Sequence, residues 1–472
     1  MSAMMTLGQA AAWLDGANLH GDISTQVTRV HTDTRTIEPG DLFIALQGER
    51  HDANQFLADA LQHGAAAVVC KAGLAAELCP AGLPRIEVED TLRALQQLAT
   101  AWRAQFTLPL IAVTGSNGKT TVTQMLASIL QAECLEGESL ATRGNLNNDI
   151  GVPLTLLRLR ASHRMAVVEL GMNHPGEIAS LAAMAKPTVA LVNNAQREHL
   201  EFMQTVQAVA QENGSVITAL PANGVAVFPS DDVFTVLWQD LAATRRTACF
   251  SLVPGYSHNV LGCQSAHWEH GGWQVRAQGM GVELNYRLSI AGRHNVKNSL
   301  AAAACALSAG VSVKSVEQGL QAFVPVKGRS RAFAVSVQGR ERTVVDDTYN
   351  ANPDSVRAAI DVLAELPGPR ILVLGDMGEV GHEGPMFHAE AGRYAQAKGI
   401  EHLLALGTLS RAAVDVFPGA RHFATMDSLN EAVCAELVHA GSMLVKGSRF
   451  MHMERVVDSV AAQFSNGDPR CS

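Results

Sequence analysis

A chain of 472 residues has room for about three domains, each large enough to bury its own core. With 47% apolar and 17% charged residues it reads as a soluble globular enzyme and not as a disordered chain. A formal charge of −9, with no basic cluster to override it, argues against a general nucleic-acid binder.

Residues 1–105 read as a small α/β unit. Met1 to Gly21 has no basic stretch ahead of its apolar residues and carries Asp15, so no secretory signal is expected there. Asp41–Leu46 and Ala65–Val69 are strand candidates, and a helix over Thr91–Arg103 closes the unit. No apolar run along the chain reaches the length of a membrane span. The eight cysteines are Cys70, Cys79, Cys134, Cys249, Cys263, Cys305, Cys434 and Cys471. Their scatter, without any Cys-x-x-Cys, fits small buried hydrophobes in a reducing cytoplasm.

Residues 106–325 read as a second α/β unit. Leu108–Val113 is an apolar run that predicts a buried strand. Val122, Met125, Leu126, Ile129 and Leu130 repeat at helical spacing and predict a helix. Between them lie Thr114, Gly115, Ser116, Asn117, Gly118, Lys119 and Thr120. Strand, glycine-rich turn, Gly-Lys-Thr and helix form a phosphate cradle. Backbone N–H groups face the anion, Lys119 supplies charge, and the Thr120 hydroxyl can ligate Mg²⁺. The usual first glycine is replaced by Val113, so the turn is a shortened variant; it predicts ATP or GTP binding.

Met165–Leu170 and Thr188–Asn193 are further apolar strands, and the alternation predicts a parallel sheet with helices on both faces. Ligands bind at the C-terminal edge of such sheets. Glu169 ends one strand, where it either ligates Mg²⁺ opposite Thr120 or makes a salt bridge. Asn193 and Asn194 end the next, followed by a lone histidine, His199, which is either a surface residue or a functional one. Gly144–Pro153 holds Asn145, Asn147 and Asn148 between glycines, as a polar turn or as a holder of phosphate or metal-bound oxygen. Short alternating runs over 248–290, around Gly271-Gly272, predict a β-hairpin appendage. Asn295 begins a helix running to Leu307, and either caps it or reads an adenine edge. Leu300–Gly310 reads as a buried, alanine-rich helix.

Residues 326–472 read as a third α/β unit, reached through a basic hinge at Pro325–Arg331. Strands are predicted at Thr343–Asp346, Arg370–Gly375, His402–Leu406 and Ser442–Val445. Three polar clusters end them: Asp346–Pro353, Gly375–Glu379 and Val445–Arg449. Together they predict a second polar pocket facing the phosphate-binding unit across the hinge.

At this point the motifs resemble a family, the Mur ligases, the ATP-dependent amide-bond-forming enzymes of peptidoglycan synthesis. The shortened turn, Gly144–Pro153, Glu169–His174, Gly292–Asn295, Asp347–Pro353 and Val445–Arg449 stand in the family's order, and Asp33-Thr34-Arg35 with Pro39–Leu46 resembles its UDP-binding domain. The resemblance spans nearly the whole chain and is strongest in Tyr349–Pro353. It implies three domains: a small UDP-binding domain (1–105), a central P-loop parallel-sheet ATPase domain (106–325) and a C-terminal Rossmann-like domain binding D-Ala-D-Ala (326–472). It further implies addition of D-alanyl-D-alanine to UDP-N-acetylmuramoyl-tripeptide through an acyl phosphate, with ATP and Mg²⁺, by a cytoplasmic monomer. Other ligases of the family, folylpolyglutamate synthases and a nucleotide-gated binding module are the alternatives.

By resemblance, Lys119, Glu169 and His199 are catalytic. Thr120, Glu169 and His199 hold metal, Asn295 reads adenine, and Arg329 and Asp347 contact the nucleotide from across the hinge. Thr34, Arg35, Asn145, Asn147, Asn350, Asn352 and Lys446 bind the other substrates. One departure stands out. Many family members carry a carbamylated lysine shortly after the histidine matching His199, but this chain has no lysine between Lys186 and Lys297, and Asn213 occupies the position. His199, with Glu198 or Glu212, is therefore expected to hold any second metal.

Overall fold

Continuous apolar runs bounded by turn residues make strands covered on both faces, and here they assemble into three large sheets, beside a two-stranded antiparallel pairing of Met5–Thr6 with Gln26–Val27. The structure is a computed structural model that describes residues 3–48, 51–74, 78–79, 82–255, 257–269 and 271–464. Cys471 lies outside the described residues.

The first sheet has five strands, in the order Asn18–His20, Arg85–Val88, Ala67–Lys71, Asp41–Ile44, Arg29–His31. All its pairings are parallel except the first. The helix Thr91–Arg103 follows it as predicted. Asp90 caps that helix by accepting the N–H groups of Leu92 and Arg93 at 2.8 and 3.0 Å, a device worth about 1 kcal/mol. Its buried face, Ala94, Leu95, Leu98, Ala99 and Trp102, joins one continuous core with the middle unit's Leu110, Leu156, Val168 and Leu181.

The middle sheet has nine strands. The strand Leu110–Thr114 lies inside it, between Met165–Glu169 and Val189–Val192, and is parallel to both. That placement brings the tails of all three strands to one edge. The segment expected to form a hairpin appendage does form an antiparallel hairpin around Gly271-Gly272, but its strands extend this sheet and do not stand apart from it. Val260–Glu269 pairs in parallel with Arg246–Ser251, and Gly272–Gly279 and Val282–Leu288 follow antiparallel. The reason is the alternating apolar face. Leu261, Trp273, Val275, Leu284, Tyr286 and Leu288 share a core with the alanine-rich helix Arg293–Ser308, so the strands are covered and not free-standing. That helix begins two residues before Asn295.

The third sheet has six strands, in the order Arg331–Val337, Arg340–Asp347, Ser442–Lys446, Arg370–Gly375, His402–Leu406, Arg421–Phe423. Only the first pair is antiparallel. Both outer strands were unforeseen, since edge strands carry a mixed pattern; Arg331 belongs to one of them, which shortens the expected hinge. Among the described residues, no helix is long and apolar enough to cross a membrane.

Candidate functional site

The phosphate-type turn is held from beneath and from one side. Gly115 has φ +127 and Gly118 φ +82, conformations that favour glycine. A Cβ on Gly118 would stand 2.7 Å from Asn193 Nδ2 and Asn298 Oδ1, so the turn admits no side chain there. The N–H of Gly115 donates to Asn213 Oδ1 at 2.9 Å, that of Ser116 to the Asn194 carbonyl at 3.1 Å, and that of Asn117 to Asn194 Oδ1 at 2.8 Å. Thr114 lies below the turn and donates its hydroxyl to the same Asn213 oxygen at 2.6 Å. Those three amides are already engaged within the chain. The amides of Lys119 and Thr120, at the start of the helix Lys119–Glu133, have no intrahelical acceptor, the arrangement that suits a helix start to an anion.

Lys119 lies folded back on this turn. Its Nζ donates to the carbonyls of Gly115 and Ser116 at 2.6 and 3.1 Å and reaches Glu198 Oε2 at 3.3 Å. Glu198 is buried, and burial pushes its carboxyl above the usual glutamate range despite the opposing charge of Lys119.

Glu169 is buried at the end of its strand. Its Oε1 accepts from Thr120 Oγ1 at 3.2 Å and from Asn147 Nδ2 at 2.7 Å, while Oε2 is buried with no hydrogen-bond partner. A buried, unpartnered carboxylate oxygen beside a hydroxyl and an amide is a hard donor set that fits Mg²⁺. Arg329, from across the hinge, donates to Thr120 Oγ1 at 3.2 Å, with its guanidinium 3.9 Å from the Tyr349 ring centroid.

Asn295 is not the helix cap; Gly292 is. The Asn295 amide donates to the Ala291 carbonyl at 2.7 Å, and its Oδ1 accepts from Asn298, whose own Oδ1 accepts from Asn193. Each of these amides keeps part of its hydrogen-bonding capacity.

On the facing unit, Lys446 Nζ bridges Asp347 Oδ2 at 2.6 Å and the Asn350 carbonyl at 2.9 Å. Burial raises the Asp347 carboxyl, but Lys446 outweighs it and holds the group below its ordinary range. Burial holds His294, beside this pair, below the usual histidine range. Asn352 caps the helix Pro353–Ala364 by accepting the Ser355 N–H at 2.8 Å, and its Nδ2 donates to Asn117 Oδ1 at 3.0 Å. The two units therefore meet through the turn itself.

A single cavity of about 680 Å³ collects Ser116, Asn117, Gly118, Lys119, Thr120, Asn145, Asn147, Glu169, His199, Asn295, Arg329, Asp347, Asn350, Asn352 and Lys446. Thr34 and Arg35 are elsewhere. They form a one-turn helix capped by Asp33, and Arg35, with its side chain 85% exposed, pairs with Asp33 at 2.6 Å.

The expected grouping of His199 with Glu198 or Glu212 is not formed. His199 Nδ1 pairs with Glu379 Oε2 at 2.7 Å, and Glu198 faces Lys119. Glu212 accepts the N–H groups of Gly176 and Ile178 at 2.9 and 2.8 Å, at the start of the earlier helix Glu177–Ala185. Among the described residues, no group of three or more His, Cys, Asp or Glu is placed to hold a metal ion.

Two contributors escaped the sequence reading. Asn213, noted only as a departure, supports the turn. Its signal is an asparagine within the buried stripe Val209, Ala210, Val216 and Ile217 of a helix. Arg197 carries contacts between units, and nothing in its local pattern marks it. Glu379 belongs to the predicted polar cluster Gly375–Glu379, but its pairing with His199 was not foreseen.

Family models match most of the chain. Residues 26–103 match the Mur ligase family catalytic domain, residues 113–306 the Mur ligase middle domain, and residues 330–449 the Mur ligase glutamate ligase domain. The UDP-N-acetylmuramoyl-tripeptide–D-alanyl-D-alanine ligase of Escherichia coli is 38% identical, covering 96% of this chain and 97% of that protein. Its counterpart in Haemophilus influenzae is also 38% identical, over 94% of this chain and 96% of that protein. A crystal structure of MurF from Acinetobacter baumannii superposes with a TM-score of 0.88 at 33% identity, covering 98% of this chain and 99% of that one.

Proposed function

The chain belongs to the Mur ligase family, and from that premise we propose that it uses ATP to join D-alanyl-D-alanine to UDP-N-acetylmuramoyl-tripeptide. The observation that carries this reading is the shared cavity. A phosphate-binding turn on one unit faces the Asp347–Asn352 segment of another, and Asn117 and Asn352 touch across the gap.

A carboxylate is a poor electrophile, so amide formation needs activation. Transfer of the terminal phosphoryl group of ATP to the tripeptide carboxylate gives an acyl phosphate and ADP. The dipeptide amine attacks that carbonyl, and the tetrahedral intermediate expels phosphate. The protein's part is positioning and charge neutralisation. The helix-start amides of Lys119 and Thr120 bind phosphate oxygens, and the Lys119 side chain turns from the Gly115 and Ser116 carbonyls toward them. Thr120 and Glu169 are the residues that would hold Mg²⁺, which neutralises phosphate charge when bound. Asn295 reads the adenine; Arg329 and Asp347 contact the nucleotide from the facing unit. Asn350 and Asn352 receive the dipeptide, on the side where His199 pairs with Glu379, and Lys446 fixes the Asn350 carbonyl and Asp347. Thr34, Arg35, Asn145 and Asn147 bind the UDP-linked substrate. Closure of the third unit keeps water from the acyl phosphate.

On this reading the three units follow the limits 1–105, 106–325 and 326–472. One chain supplies every site residue, which supports action as a monomer, and the seven described cysteines are free thiols, which supports a reducing cytoplasm. The test is phosphate release with Mg²⁺-ATP, UDP-MurNAc-tripeptide and D-Ala-D-Ala, omitting each in turn. Release that needs all three, with a pentapeptide product by mass, is the expected result. Lys119→Ala should lower the rate about a hundredfold or more. Release with a free amino acid in place of the dipeptide would move the chain elsewhere in the family, and no substrate-dependent release would overturn the reading.

A further inference from the structure

The short loop Gln196–His199 touches the phosphate-binding turn on one side and the third unit on the other. Toward the turn, the Gln196 N–H donates to Ser116 Oγ at 2.8 Å, and Gln196 Oε1 accepts from Asn117 Nδ2 at 2.6 Å. Toward the third unit, Arg197 spans two carboxylates. Its Nη2 donates to Asp354 Oδ1 at 2.7 Å and its Nη1 to Glu390 Oε2 at 2.8 Å, with Nε 3.1 Å from Asp354 Oδ2. The backbone N–H of Arg197 also donates to Asp354 Oδ2, at 2.8 Å. The guanidinium lies 5.3 Å from the Phe387 ring centroid, and Arg357 also donates to Glu390, at Oε1, at 3.0 Å. The Arg197 side chain is only 23% exposed, as is that of Asp354, so water screens the pair poorly.

Asp354 is the second residue of the helix that Asn352 caps, directly behind Asn350 and Asn352. Whatever fixes Asp354 therefore fixes the segment to which the dipeptide is assigned. The planar, five-donor guanidinium meets the two carboxylates through separate N–H groups, and the backbone N–H adds a further contact to Asp354.

We propose that Arg197 is a positioning residue for the second substrate: it holds the Asn350–Asp354 segment in register with the phosphate-binding turn and so sets how well the dipeptide is bound, without touching either reacting group. This rests on the ligase reading given above. A displacement of about 1 Å at such a segment is enough to weaken a site substantially.

The test is steady-state kinetics on Arg197→Met, Arg197→Lys and Asp354→Asn, with hydrogen exchange read over residues 350–357. The expected result for Arg197→Met is a rise of about tenfold in KM for D-Ala-D-Ala, with KM for ATP and kcat each within about threefold of the parent. Arg197→Lys should recover only part of the loss, because an ammonium is a point charge and lacks the fork that meets each carboxylate through separate N–H groups. Asp354→Asn should reproduce the dipeptide effect, and exchange over 350–357 should accelerate in all three. An unchanged dipeptide KM in folded Arg197→Met overturns the proposal. An equal rise in KM for all three substrates also overturns it, since that is general loosening. Should Arg197→Met fail to fold, Asp354→Asn is judged by the same criteria. A parent protein without three-substrate-dependent phosphate release would remove the ligase reading itself; an active parent with an unaffected dipeptide KM in the variants removes only this inference.

Discussion

The middle unit meets its two neighbours in opposite ways. Against the first unit it shares one apolar core. Leu98 and Trp102 pack with Leu156 and Leu159, Trp102 Nε1 donates to the Leu159 carbonyl at 3.1 Å, and Arg103 closes the seam by donating to the carbonyls of Ala185 and Lys186. Against the third unit the contacts are polar: Arg197 with Asp354 and Glu390, His199 with Glu379, Asn117 with Asn352, Arg329 with Thr120. The third unit packs around two cores of its own, and Ala291 is the middle unit's one buried member in them among the described residues.

The difference has a physical consequence. An apolar seam cannot open without exposing hydrocarbon to water, so it behaves as one body with what it joins. A polar seam exchanges its hydrogen bonds for water at modest net cost, since each is worth only about 0.5–1.5 kcal/mol. It can open and close. The cavity lies at the polar seam, where substrates must enter and water must later be excluded.

The largest effect is expected from breaking the apolar seam. Trp102→Ala removes a nearly buried indole and its hydrogen bond, and should destabilise the protein by about 3–5 kcal/mol. A calorimetric scan should then show the first and middle units melting together at lower temperature. Retention of the parent melting temperature would mean the seam is not a shared core.

Cutting the polar seam should do the reverse. Arg329→Ala removes the contact to Thr120 and the stacking on Tyr349. A loss of about a hundredfold in kcat/KM, roughly 2.7 kcal/mol, is expected with little change in melting temperature. A large fall in melting temperature would make this seam structural and erase the contrast.

The smallest effect concerns Glu198, in the loop Gln196–His199 at the polar seam, where it faces Lys119. Burial raises its carboxyl above the usual range, so the folded state binds this proton more tightly than the unfolded chain does. Stability from this group is therefore lost as pH rises from the ordinary glutamate range through the raised value. Glu198→Gln removes the ionised form and should raise the melting temperature by about 1–2 °C at pH 7.5. The gain should vanish near pH 4. A gain that persists at pH 4 would show that the stabilisation does not come from the charge.

Much of the site was legible because its parts are local. Gly115, Gly118, Lys119 and Thr120 need only a strand, a tight turn and a helix to face a phosphate, and a few consecutive residues encode all three. Glu169 and Asp347 were legible because a polar residue closing an apolar run must lie at the sheet edge. The helix Thr91–Arg103 was legible because its apolar spacing and its Asp90 cap agree.

Other features depend on which elements become neighbours. Whether 260–288 forms a free hairpin or extends a sheet depends on an alanine-rich helix folding over it, and the hairpin's own alternation is the same in both cases. His199 carries no local mark of its partner, because Glu379 comes from another unit 180 residues on. Arg197 reads as an ordinary surface arginine until Asp354 and Glu390 arrive from two different helices. Local sequence set the turn, the strands and the edge on which chemistry can occur. Tertiary structure alone decided which charges meet across that edge, because an ion pair is selected by the distance between folded units and leaves no periodicity along the chain.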